Sequence, residues 1–106
     1  MQSFELTSEE LEGGKVVVAF RGELDIAHVD SAEQQLIRLE QGSNDVVLDL
    51  RELQFLDSMG LRLILRADSR ARDEGRALRI VEGPEQVQRV FRLTRMDERL
   101  EIVDSV

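Results

Sequence analysis

A single α/β domain with a mixed sheet of four to five strands is the fold class that this sequence predicts, and three observations predict it. The hydrophobic period switches between two and about 3.6 residues and back along the chain, so short strands alternate with amphipathic helices. Glycine and proline fall at the switches. The chain has 106 residues, enough for one hydrophobic core and too few for a second domain.

The elements follow in order. Val16, Val18 and Phe20 lie on one parity and Val17 and Ala19 on the other, and their β-branched density marks a strand. Gly13 and Gly14 just before it are turn residues, so residues 4–12, with Phe4 and Leu6 on one parity, form the preceding strand of a hairpin. The run stops at Gly22. Val29, Ala32, Leu36 and Leu39 then recur on one helical face, with Asp25 placed to cap the entry and Gly42 to end it. Val46, Leu48 and Leu50 share a parity and make the next strand, facing the core. After Asp57 a helical pattern runs to about Glu74, with Leu61, Ile64, Leu65, Ala67 and Ala71 on its apolar face and Gly75 at its end. Leu78, Ile80 and Val81 read as a further strand. Gly83 and Pro84 punctuate, Pro84 being suited to the first turn of a helix whose stripe is Val87, Val90, Phe91 and Thr94. Leu100, Ile102 and Val103 form a last short strand. The order β-β-α-β-α-β-α-β makes part of the sheet parallel, because helical crossovers join parallel strands. Residues 1–106 show no repeat, low-complexity segment or linker, and read as one domain.

Composition narrows the function. The formal net charge is −8, from 22 acidic and 14 basic side chains. Such a field repels phosphate backbones and anionic headgroups, which argues against nucleic acid or a membrane surface as direct partner and leaves a protein surface. Cysteine is absent, which excludes disulfides, thiolate metal sites and cysteine nucleophiles and suits a reducing cytoplasm. Residues 1–10 carry Glu5, Glu9 and Glu10 and lack the features of a signal peptide, and the longest apolar run, residues 16–20, is far short of a membrane span. The expected location is cytoplasmic. His28 is the sole histidine, so neither a zinc site nor any other cofactor is expected.

Ser58 stands out. It lies immediately before a helix, where a serine caps orphan backbone N–H groups. The same position suits a phosphate, because unpaired N–H groups and the positive end of the helix dipole both favour added negative charge. Met59 and Leu63 are placed by helical spacing away from the face of Leu61, Ile64 and Leu65, as outward apolar residues beside that serine. Arg62, Arg66 and Arg70 form a stripe at i, i+4 spacing that reads as a solvated face, with Arg62 one turn from Ser58 and within reach of a phosphate there. An enzyme using Ser58 with His28 as base is disfavoured: position 56 is Leu, so the Gly-x-Ser-x-Gly elbow is missing. Asp25 and Asp57 as an acid–base pair would need a substrate pocket that nothing in the sequence suggests.

Gly22, Glu23, Leu24 and Asp25, then a helix, then Val46, Val47, Leu48, Asp49 and Leu50, then Phe55, Leu56, Asp57, Ser58, Met59, Gly60 and Leu61 resemble the bacterial STAS family, most closely its anti-sigma factor antagonists. Gly83 and Pro84 followed by Val87, Val90, Phe91, Leu93 and Thr94 resemble the last helix of that family. The resemblance implies that Ser58 is the phosphoacceptor and that the loop of Gly22, Glu23 and Asp25 neighbours the loop of Asp57, Ser58, Met59 and Gly60. It implies a non-enzymatic protein that binds an anti-sigma factor when unphosphorylated and so frees a sigma factor. It further implies that the anti-sigma factor is the serine kinase and that a phosphatase reverses the mark. Arg62 and Leu63 complete the expected partner surface. The residue after the acceptor is commonly Ser or Thr in the family and is Met59 here, which leaves Ser58 the only hydroxyl in the loop. The alternative is a STAS interaction subunit of a transporter or signalling assembly that works without phosphorylation. Nucleotide binding has no glycine-rich phosphate loop to support it.

Overall fold

The computed structural model describes residues 3–106. Strands β1 (Phe4–Leu11) and β2 (Lys15–Leu24) form an antiparallel hairpin over a turn at Glu12–Gly14. Helix α1 (Val29–Glu40), β3 (Asp45–Leu56), α2 (Ser58–Glu74), β4 (Ala77–Val81), α3 (Glu85–Leu93) and β5 (Ile102–Val103) follow. The sheet order is β1-β2-β3-β4-β5, with every pair after the hairpin parallel. Sequential order with same-handed crossovers puts all three helices on one face of the sheet. One core results: Val16, Val18 and Phe20 of β2, Val46, Leu48 and Leu50 of β3, and Leu78 and Ile80 of β4 pack against all three helices.

The expected face of α1 is met, with Val29, Ala32 and Leu36 buried. In α3 Val87 and Phe91 are buried, but Thr94 lies past the helix end, exposed, where its hydroxyl donates to the Val90 carbonyl. Pro84 precedes α3 as its cap residue and does not lie inside its first turn. Asp25 does not cap α1 directly. Its carboxylate and carbonyl organise the turn that leads into the helix at Val29.

Two corrections concern α2. Leu63, expected on the surface, is fully buried. The buried arc is wide because α2 touches α1 as well as the sheet strands β3 and β4, and Leu63 falls within that arc as part of the core. The arginine stripe is also only partly a solvated face. Arg66 and Arg70 reach across to α1, where Arg66 pairs with Glu33 and Arg70 with both Glu33 and Glu40.

Candidate partner-docking site at the start of α2

The parallel strands β2, β3 and β4 all end at the same edge of the domain, so the loops that follow them gather there. Leu24 pairs with Leu56, and the Asp57 amide donates to the Leu24 carbonyl at 3.4 Å. The loop of Gly22, Glu23 and Asp25 therefore lies beside the loop of Asp57 and Ser58. Two glycines permit close packing here, Gly22 against the start of β1 and Gly60 against the end of β2. Gly22 sits at φ +92°, where a Cβ would stand 1.9 Å from the Ser3 carbonyl oxygen. Gly60 is buried at the start of α2, and a Cβ there would come within 2.7 Å of both the Leu24 carbonyl oxygen and a Leu56 methyl carbon.

Asp57, and not Ser58, caps α2. Its Oδ1 accepts from the Met59 and Gly60 amides at 3.0 and 2.9 Å, and its carbonyl accepts from the Leu61 amide at 2.9 Å. Ser58 is the first helical residue, and its hydroxyl is exposed and free of any capping duty. The two aspartates have separate work. Asp25 Oδ1 accepts from the Ala27 amide at 3.1 Å and lies 2.8 Å from His28 Nδ1. His28 in turn packs its ring against Phe4. Met59 is half-buried against the core, whereas Arg62 is exposed.

Sequence reasoning missed two residues of this edge. Ile26, in the turn after β2, and Phe55, near the end of β3, are large apolar side chains, 73% and 45% exposed. Phe55 lies beyond residues 46–50, the run whose alternation marks the strand, and β3 carries two register shifts against β2 before it, between Ala19 and Arg21 and between Gly22 and Glu23. The first shift turns Leu53 inward against the parity set by Val46, and the second restores that parity, so Leu56 faces in and Phe55 out. Ile26 carried one usable signal: an isolated Ile in a turn between Asp25 and Ala27.

The charges further along α2 are committed. The Arg66 guanidinium holds the Glu33 carboxyl below the usual glutamate range, with Arg70 adding to the effect against the opposing cost of burial. Arg70 is itself raised, chiefly by its hydrogen bonds to Glu40. Among the described residues no group of three or more His, Asp or Glu side chains is placed to hold a metal ion, and no described helix is long and apolar enough to cross a membrane.

A family model for the STAS domain matches residues 7–106. The chain belongs to the STAS domain family. Among curated relatives, this STAS domain is 34% identical over 74 residues to osmosensory protein A of Mycobacterium tuberculosis, covering 70% of this chain and 47% of that protein. The domain thus spans about half the length of that relative. It is 28% identical over 90 residues to BtrV of Bordetella bronchiseptica, a protein described as a candidate anti-sigma factor antagonist, covering 84% of this chain and 77% of that one. In three dimensions it is similar to an anti-sigma factor antagonist from Mycobacterium paratuberculosis, with a TM-score of 0.89, 23% identity and coverage of 98% of this chain and 88% of that chain. That likeness shows the shared fold: one mixed sheet with its helices on a single face.

Proposed function

We propose that this STAS domain is a cytoplasmic anti-sigma factor antagonist governed by Ser58. Unphosphorylated, it binds an anti-sigma factor that is also a serine kinase, and the sigma factor is released. Phosphorylation of Ser58 ends the association, and a phosphatase restores it. The observation that carries this reading is the freedom of Ser58: an exposed hydroxyl on the first residue of α2, beside exposed Ile26 and Phe55, while Asp57 alone does the capping. An N-cap serine would have its oxygen tied to the helix amides. This one is available to a kinase.

In the transfer, Ser58 Oγ forms the new bond to the γ-phosphorus of ATP as the bond to the ADP oxygen breaks, and the hydroxyl proton leaves to a base of the kinase. The product adds roughly −1.5 to −2 charges beside Asp57, on a chain whose net charge is already −8. Exposed Ile26 and Phe55 give the partner an apolar centre to cover, so the added phosphate would have to be desolvated at the rim of that contact.

The test is to incubate the domain with ATP and the anti-sigma factor kinase that it captures, and to map phosphate by mass spectrometry. One phosphate on Ser58 is expected. Ser58→Ala should remain unmodified and bind the kinase, and Ser58→Glu should bind it less tightly than wild type. Phosphate on another residue, or wild-type affinity in Ser58→Glu, would overturn the reading.

A further inference from the structure

We propose that Arg62 is the internal counter-ion of a phosphate on Ser58, so that one covalent event both adds an anion and withdraws a cation from the docking edge. The inference rests on the reading of Ser58 as acceptor. Helix geometry places the two together: four residues at about 100° each bring Arg62 back to within about 40° of Ser58 around the axis. Helical side chains lean toward the N-terminus of their helix, so Arg62 covers the turn that Ser58 begins. An anion four residues ahead of a cation is the favourable orientation for such a pair. Both residues are exposed.

The amides that follow Ser58 and the other arginines of α2 are already engaged. The Met59 and Gly60 amides are bonded to Asp57 Oδ1, and the Leu61 amide to the Asp57 carbonyl. Arg66 and Arg70 are held by Glu33 and Glu40, Arg72 by Asp68, and His28 by Asp25. Of the α2 arginines, Arg62 alone has no carboxylate partner among the described residues. In the unmodified domain it is a cation without a carboxylate partner among the described residues, at an edge that also carries Glu23, Asp25 and Asp57, and it is open to a carboxylate of the partner. A phosphate four residues away claims it first. The switch then changes two recognition groups at once, which sharpens the discrimination between the two forms of the surface.

The pair is readable in the titration of the phosphate itself. Asp57 beside it, and Asp25 on the neighbouring loop, oppose its second ionisation, whereas Arg62 favours it. Phosphoserine is to be encoded genetically at position 58, which needs no kinase, and its ³¹P resonance followed against pH in the wild-type background, in Arg62→Gln and in Arg62→Lys. The phosphate should ionise about 0.5 pH unit higher in Arg62→Gln, as befits one surface ion pair, with Arg62→Lys in between. Equal midpoints in all three would overturn the pair and leave the antagonist reading intact. A kinase that ignores Ser58 would overturn that reading without touching the titration.

Discussion

Along α2 the side chains at positions 58 and 62 stand free in solvent, whereas Arg66 and Arg70, one and two turns further on, are gripped by carboxylates of α1. The difference is one of neighbours. Arg66 and Arg70 lie against α1, and Glu40, only 4% exposed, has Arg70 and Arg76 around it. A buried carboxylate is tolerated because it is paired on more than one side. Nearer the helix start, Arg62 makes no ion pair with α1 among the described residues. The first turn meets the Gly22 loop through backbone contacts and leaves Ser58 outward. What this teaches is that the first turn has two sides, an inner one where Gly60 and Leu61 are buried and an outer one where Ser58 can be modified without disturbing the core.

Leu63→Ala should break the buried side of the helix and give the largest effect. A fully buried leucine replaced by alanine costs about 3 kcal/mol, readable as a lower urea midpoint. Partner affinity per folded molecule should stay unchanged, because Leu63 does not reach the surface. An unaltered midpoint would mean that the helix is not seated there.

The two neighbours at the free end should then part company. Asp57→Ala removes the cap and should cost about 1 kcal/mol. Ser58→Ala removes a solvent-facing hydroxyl and should shift stability by less than about 0.5 kcal/mol. Equal losses at both positions in chemical denaturation would return the capping role to Ser58.

The smallest expected effect concerns pH. The folded-state carboxyl of Glu33 lies below its ordinary value of 4.5, first because Arg66 donates to it. A depressed carboxyl contributes stability that is fully present above its unfolded value and is lost as pH falls through the folded value. The stability difference between wild type and Glu33→Gln should therefore be constant above pH 4.5 and close progressively below it. A difference that persists undiminished into the acid limb would show that Glu33 acts through packing and not through charge.

The sequence by itself determined the element order, the parity of Val46, Leu48 and Leu50, the helical face of α1, the inward Val87 and Phe91 of α3, and the position of Ser58 at a helix start. Each is local, set by a period or by turn residues within a few positions. Tertiary structure alone decided four other matters. It turned Leu63 inward, because the width of the buried arc of a helix depends on how many neighbours it has. It committed Arg66 and Arg70 to Glu33 and Glu40, partners some thirty residues away in the chain. It turned Leu53 inward through register shifts that depend on β2 as well as β3. And it assigned the cap to Asp57, freeing Ser58, because two adjacent residues that both favour the N-cap differ only in which backbone carries the extended dihedral, and the pairing of Leu56 with Leu24 fixes that at Asp57.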